Sequence, residues 1–320
     1  MPEASLRMFV KSITFEADRT SSYVLLPTGE RILPAFTAGA HVDLHLQDGV
    51  IRSYSLINDQ SERHRYVIAV KREPDGRGGS IFVHDKLKVG DFLVVSAPRN
   101  NFAFDEADHR SIFIAGGIGV TPILSMVRRA AALARPWTLH YASRTRREAA
   151  FLDDIERLAR VSGGEINAIF DQETGGGVLD IAAIATDAPA DAHLYCCGPV
   201  PMIEAFRAAT IHKPPGSVHV EYFSPREEAA TAGGFDVRLQ KSGRTIAVLP
   251  GQSILTALLD AGVNVPYACS EGTCGTCETA VIDGIPEHRD VYLTDEERAG
   301  NRKIMVCCSG SKTALLVLDL

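Results

Sequence analysis

Four cysteines near the C-terminal end constrain this 320-residue chain more than any other feature. Cys269, Cys274 and Cys277 form a C-x4-C-x2-C run, and after 29 further residues comes Cys307, with Cys308 beside it. Thiolates at this spacing, with a distant fourth ligand, hold a [2Fe–2S] cluster. A loop wrapped round a cluster has to aim backbone N–H groups at its sulfurs. Gly272 and Gly275 allow the dihedrals and the close approach this needs. Ala268, Ser270, Thr273 and Thr276 are small and leave room. The competing reading is a structural zinc ion on four thiolates, but a C-x4-C-x2-C loop directly after a hairpin and a helix speaks against it. A disulfide framework fits less well still. All seven cysteines follow position 195, five of them in the last 52 residues, in a chain that reads as cytoplasmic.

That compartment is an expectation from absences. Met1-Pro2-Glu3-Ala4-Ser5-Leu6-Arg7 lacks the basic start and apolar run of a signal peptide. No uncharged apolar stretch approaches the roughly 18 residues that a membrane span needs. A net charge of −7 argues against nucleic acid as a partner. With 45% hydrophobic and 23% charged residues the composition is that of a globular protein, and the length suggests two or three domains.

Residues 1–104 read as β structure. Short runs such as Ser22-Tyr23-Val24-Leu25-Leu26, His41-Val42-Asp43-Leu44 and Tyr66-Val67-Ile68-Ala69-Val70-Lys71 are separated by turn signals, which suggests a barrel or sandwich. From 105 to 226 strands alternate with helices: strands at 111–115, 138–141, 166–170 and 193–196, and helices at 122–133 and 149–160. That alternation means a parallel sheet with its ligand crevice at the strands' C-terminal ends. Residues 227–234 read as a linker. The remainder, 235–320, opens with a hairpin and an amphipathic helix whose apolar face carries Ile254, Leu255, Leu258 and Leu259, and then reaches the cysteine loop.

Two further stretches carry anion-binding chemistry. Gly116-Gly117-Ile118-Gly119-Val120-Thr121-Pro122 follows an apolar strand and opens a helix, where glycines let the backbone approach a pyrophosphate and free N–H groups meet it. Arg77-Gly78-Gly79-Ser80 is a second such turn, and the arginine suits a terminal phosphate.

These motifs, taken in order, resemble the phthalate-dioxygenase-type reductases within the ferredoxin–NADP reductase superfamily. The resemblance runs through Arg52-Ser53-Tyr54-Ser55, Gly76-Arg77-Gly78-Gly79-Ser80, the Gly116 turn, Cys197-Gly198-Pro199, Pro266 to Cys277, Gly284-Ile285-Pro286-Glu287-His288-Arg289-Asp290 and Met305-Val306-Cys307-Cys308-Ser309. It covers essentially the whole chain. It implies three domains: an antiparallel β-barrel flavin domain, an α/β parallel-sheet nucleotide domain, and an α+β (β-grasp) plant-type ferredoxin domain.

The resemblance also implies roles. FMN would be held by Arg52, Ser53, Tyr54, Ser55, Ala69, Val70, Lys71, Arg77, Gly78, Gly79 and Ser80, with Thr121 and Phe223 as neighbours. NADH would be held by Gly116, Gly117, Gly119, Thr121, Pro122, Ser143, Arg144, Cys197, Gly198 and Pro199. Arg144 also suits the 2′-phosphate of NADPH, so the preference for NADH comes from the family. The cluster ligands would be Cys269, Cys274, Cys277 and Cys307, the last preferred over Cys308 because the family's cysteine precedes its serine by two positions. Gly310 stands where the family usually has arginine.

The implied activity is electron transfer from NADH through FMN to the cluster and on to a terminal Rieske-type oxygenase or O-demethylase acting on an aromatic compound. No catalytic acid, base or nucleophile is required of the protein, and a monomer is expected. A cytochrome P450 or another acceptor, or a redox sensor without turnover, is the alternative.

Overall fold

A computed structural model describes residues 5–29, 32–107, 110–214 and 216–320. The first four residues of the segment inspected for a leader therefore lie outside the described residues. Two compact units divide the chain, one ending at Phe223 and the other beginning at Ser224.

The first unit opens with β1 (Leu6–Ala17), β2 (Thr20–Pro27), β3 (His41–His45), β4 (Ile51–Ser55), β5 (Tyr66–Lys71), α1 (Gly79–Asp85) and β6 (Phe92–Val95). The strands form one antiparallel sheet in the order β4-β3-β6-β1-β2-β5. Its two ends approach each other: Leu56 bridges Ile68, and the Ile57 N–H donates to the Val67 carbonyl at 2.9 Å. The sheet thus curls towards a barrel around Met8, Val10, Tyr23, Leu25, Leu44, Ile68 and Val70. Alternation drives this, because every second residue of β5 faces that interior.

The second half of the same unit holds β7 (Ser111–Gly116), α2 (Val120–Ala132), β8 (Trp137–Ser143), α3 (Leu152–Ser162), β9 (Glu165–Phe170), α4 (Ile181–Asp187), β10 (His193–Cys197), α5 (Val200–Ala209) and β11 (Val218–Glu221). All five strands are parallel, in the order β11-β10-β7-β8-β9. The chain runs from β7 to β8 on one side and returns to β10 on the other. The crevice therefore opens at the C-terminal ends of β7 and β10. Barrel and parallel sheet share one apolar cluster, in which Val67, Ala69, Phe102 and Phe104 pack with Phe113, Met126 and Tyr195. That common core makes them a single compact unit.

The second unit comprises β12 (Phe235–Leu239), β13 (Thr245–Val248), α6 (Ile254–Asp260), β14 (Glu278–Asp283), β15 (Pro286–Glu287), α7 (Asp295–Gly300), β16 (Lys303–Met305), β17 (Gly310–Ser311) and β18 (Leu315–Leu318). Its main sheet has the order β13-β12-β18-β14-β16, with β12 and β18 parallel and the other pairs antiparallel. This is the β-grasp arrangement. Helix α6 is capped by the Ser253 hydroxyl, which accepts from the Thr256 N–H. It buries Ile254, Leu255, Ala257 and Leu258. Leu259, expected on that face, is 37% exposed, because Ala257 at i+3 from Ile254 takes its place in the stripe.

The stretch expected as a linker has no helix or strand but is fastened to the second unit. The Ala230 N–H donates to the Cys308 carbonyl at 2.7 Å, the Thr231 carbonyl accepts from the Gly251 N–H at 2.8 Å, and Glu227 pairs with Arg289. Gly310 explains part of this fit: a Cβ there would fall 2.8 Å from the Ala230 Cβ. Among the described residues no helix is long and apolar enough to cross a membrane.

Phe113 is fully buried in the shared cluster of the first unit. Phe113→Ala should lower that unit's unfolding free energy by about 3–5 kcal/mol. Urea unfolding followed by probes in each unit checks this, and an equal loss in the second unit would show that the two do not fold as separate bodies.

Candidate functional site

The flavin-type residues sit on β4 and on the turn before α1. Strand register sets Ser53 opposite Asp43 and Ser55 opposite His41. The Ser53 hydroxyl donates to Asp43 Oδ1 at 2.6 Å, and Arg99 holds Oδ2 at 2.5 Å. Asp43 is 3% exposed, so it is a buried carboxylate balanced by one guanidinium. Arg52 donates to the Arg77 carbonyl at 2.9 Å, which draws the Arg77-Gly78-Gly79-Ser80 turn to β4. A Cβ on Gly79 would lie 2.5 Å from Arg52 Cγ, so any side chain there would displace Arg52. The Ser80 hydroxyl accepts from the Glu73 N–H at 3.1 Å. Tyr54 is half-buried, and burial pushes its phenol well above its usual range. Ala69 and Val70 are buried on β5, and Lys71 pairs with Glu73 at 3.3 Å. Because β5 is an end strand of the sheet, it retains main-chain groups beyond the ladder.

The nucleotide-type residues meet at the switch point. Register places Cys197 beside Ala115 on one side and Glu221 on the other. The glycine turn 116–119 is packed against the end of β10. A Cβ on Gly119 would fall 2.2 Å from the Cys197 carbonyl oxygen, and one on Gly116 2.5 Å from Pro199 Cδ. Pro122 stands in the first turn of α2, where a missing N–H costs nothing. The Thr121 hydroxyl, expected to face both cofactors, turns back to the Ile118 carbonyl at 2.9 Å. Ser143 and Arg144 end β8, two strands or about 10 Å from β10. Phe223 lies just beyond β11 and is 40% exposed.

Two residues here escaped the sequence reading. The Tyr141 hydroxyl lies 3.2 Å from the carbonyls of Gly117 and Ala150, and so anchors the glycine turn from below. Glu221 ends β11 with its carboxyl end buried and Oε2 without a hydrogen-bond partner, although the residue as a whole keeps some exposed surface. Burial pushes this carboxyl up to about 8. The buried Cys197 thiol beside it is likewise pushed far above its usual range. Nothing in the sequence distinguishes a strand-end glutamate of this kind from a solvated one.

In the second unit Cys269, Cys274, Cys277 and Cys307 are between 3% and 7% exposed. The Cys269 sulfur touches those of Cys274 and Cys307, and Cys307 also touches Cys277. These contacts pull the Cys269 thiol down and push that of Cys307 up. Gly272 has a φ of +71°, and a Cβ there would fall 2.5 Å from Cys308 Sγ, so only glycine suits the loop. The Glu271 N–H already points at Cys269 Sγ, at 3.3 Å. Among the described residues no group of three or more His, Cys, Asp or Glu closes round a single metal ion. Four thiols joined in a row of contacts, a loop shaped by glycine and an N–H aimed at sulfur suit a cluster.

The His288-Arg289-Asp290 run braces this loop. Asp290 is 2% exposed and accepts from the Leu293 N–H at 2.8 Å and the Ser309 hydroxyl at 3.5 Å. Burial alone would raise its carboxyl, but His288, the Leu293 N–H and Arg298 together hold it below its usual range.

Comparison with known proteins covers the same three regions. Residues 10–104 match an oxidoreductase FAD-binding domain, residues 113–208 an oxidoreductase NAD-binding domain, and residues 237–311 a 2Fe-2S iron-sulfur cluster binding domain. The chain is 52% identical over its full length to a phenoxybenzoate dioxygenase subunit beta of Ectopseudomonas oleovorans, covering 98% of that protein. A solved phthalate dioxygenase reductase is 39% identical, with a TM-score of 0.76 over 99% of this chain and 98% of that one. An intact self-sufficient cytochrome P450 monooxygenase is 37% identical, with a TM-score of 0.85 over 99% of this chain but only 41% of its own.

Between pH 4.5 and about 8 the folded chain keeps a proton on Glu221 that the unfolded chain has lost. Stability should therefore fall as pH rises through that window, by at most about 1.4 kcal/mol per pH unit. In Glu221→Gln the decline should flatten, raising the urea midpoint relative to the parent at pH 8.5 but not at pH 5. Identical pH profiles would show that the carboxyl is not buried neutral.

Proposed function

The chain belongs to the phthalate-dioxygenase-type reductases, and from that premise we propose the residues that carry its electrons and the partner that receives them. It is an oxidoreductase that takes electrons from NADH through a flavin and a [2Fe–2S] cluster to an oxygenase. The observation that carries this reading is the set of four buried thiols in contact, on the same chain as the glycine-lined nucleotide crevice. When bound, the flavin accepts two electrons as a hydride and gives them up singly, which the one-electron cluster requires.

The residues present fit these groups. Gly116, Gly117 and Gly119 admit the pyrophosphate against the main chain, with Pro122 and Thr121 closing the turn. Cys197, Gly198 and Pro199 form the wall for the nicotinamide. Glu221, neutral near pH 7, both donates and accepts, which matches the paired acceptor and donor of a carboxamide. Ser143 and Arg144 face the adenosine end. Asp171 and Glu173, at the end of β9 beside them, oppose a 2′-phosphate and so support NADH over NADPH.

We assign the flavin as FMN. Arg52 and Arg77, with Gly78, Gly79 and Ser80, suit a terminal phosphate. Ser53, Ser55 and the main chain of Ala69, Val70 and Lys71 offer hydrogen bonds to the ring edge, and Tyr54 and Phe223 offer faces to it. Cys269, Cys274, Cys277 and Cys307 are the cluster ligands.

The acceptor is a terminal Rieske-type oxygenase that acts on an aromatic acid or ether, a reading supported by the dioxygenase names of the relatives. A cytochrome P450 as acceptor is the second reading, favoured by the likeness to part of a self-sufficient P450.

Anaerobic NADH titration of the purified protein, followed by absorption and low-temperature EPR, tests the path. Both centres should be reduced, whereas reduction by dithionite alone would overturn the donor. Cys274→Ser should remove the cluster signal and at least nine-tenths of cytochrome c reduction while leaving NADH-dependent dye reduction near the parent rate. Flavin released by acid and separated by chromatography should be FMN, and FAD there would overturn that assignment.

A further inference from the structure

Tyr141 is fully buried on β8, in register with Ala115 of β7 and Ala168 of β9. Its hydroxyl has one proton and two carbonyls to give it to, those of Gly117 and Ala150, each at 3.2 Å. Burial keeps the phenol protonated by pushing it far above its usual range. Both carbonyls belong to backbone held in the left-handed region. Gly117 itself has a φ of +53°, and the Ala150 carbonyl shares a peptide plane with the N–H of Phe151, whose φ is +62°. A Cβ on Gly117 would meet nothing within 4 Å, so glycine is there for its backbone and the space beside it is open. Glycine also tolerates most values of ψ, so the peptide after it can turn either its carbonyl or its N–H towards that open side. Here the Gly117 carbonyl is turned inward, where it accepts from the Tyr141 hydroxyl and the Val120 N–H. In a planar trans peptide the N–H points opposite to the carbonyl. The Ile118 N–H is therefore directed away from the core and towards the crevice.

We propose that Tyr141 is a positioning residue for the nucleotide: its hydroxyl holds the Gly117–Ile118 peptide with the carbonyl inward, so that the Ile118 N–H is presented to the pyrophosphate. The inference deepens the reading of this crevice as the NADH site and rests on it. A carbonyl swung to the open side would oppose the phosphate charge, so the orientation of this one peptide decides whether the turn attracts or repels its ligand. The second carbonyl extends the device. Ala150 stands just before α3, so the hydroxyl ties the glycine turn to the segment that follows Ser143 and Arg144. Tyr141 is too deep to touch the nucleotide and acts only through the main chain.

The test is Tyr141→Phe in the full-length protein carrying flavin and cluster, since phenylalanine removes the hydroxyl and keeps the ring. Stopped-flow reduction of the flavin over a range of NADH concentrations separates affinity from the limiting rate. The apparent dissociation constant for NADH, and that for ADP-ribose by calorimetry, should each rise about tenfold, the low end of what one hydrogen bond to a charged group is worth. The limiting rate, the flavin content and the cluster's EPR signal should stay near the parent's. Unchanged affinities, whatever the melting temperature, would overturn the proposal and leave the hydroxyl as a structural bond. A limiting rate that falls by as large a factor as the affinity would overturn it too, because a general loosening moves both. If the variant does not fold, amide exchange in the parent decides. ADP-ribose should slow exchange at Ile118 about tenfold or more, by the same hydrogen bond, and unaltered exchange there would sink the idea. A parent that binds neither NADH nor ADP-ribose would instead refute the nucleotide crevice beneath it.

Discussion

Much of this fold depends on an aromatic contact between two sheets. Phe104, on the segment leaving the barrel, packs 6.1 Å from Phe113 of β7 and 5.8 Å from Tyr195 of β10, while Phe113 and Tyr195 lie 5.3 Å apart. Phe102 meets the same tyrosine edge-on at 6.0 Å. The Tyr195 hydroxyl accepts from the Asp105 N–H at 3.0 Å, which gives the oxygen of this buried ring a partner. Tyr195 stands two residues before Cys197, and Phe113 three before Gly116. The stack therefore sits directly under the strand ends that form the nucleotide crevice. Hydride transfer is sensitive to displacements of about 1 Å, and a close-packed core beneath both halves of the unit holds them to that tolerance.

The sequence made the elements legible where periodicity and punctuation agreed. The strands carrying Val67 to Lys71 and Ile112 to Ala115, the helix after Gly119 and the hairpin at Phe235 all occur where alternation, glycine or a cap marks them. The four cysteines announce a cluster by spacing alone, and their contacts follow. Three kinds of feature were not legible. β1 runs for 12 residues with a mixed burial pattern and two register shifts, so alternation does not expose it. Residues 227–231 have a linker's composition, yet main-chain hydrogen bonds, which composition does not encode, fasten them to the second unit. Glu221 and Asp43 acquire meaning only from burial, which depends on strands distant in sequence.

Burial also sorts the seven cysteines into two chemical kinds. Cys196 and Cys197 lie fully buried at the end of a parallel strand, and burial pushes the Cys196 thiol up to about 12. Such thiols are inert, small and apolar. The sulfurs in the second unit are equally hidden, but they touch one another and meet N–H groups. A thiolate there has the partners it needs. The difference between the two kinds is thus neighbour identity, since depth of burial is the same for both.

The division into two compact units follows from what each electron step tolerates. A hydride moves as an atom, so donor and acceptor have to be in contact, and the barrel and nucleotide sheet accordingly share a core with no seam of solvent through Phe104 and Tyr195. A single electron crosses a gap that no hydride can, so the cluster carrier can be a separate body with its own core around Val237, Leu258 and Leu316. That separate body must also present itself to an external acceptor, which a domain built into the first unit's core would be less able to do. On this view the first unit keeps close packing where an atom is transferred.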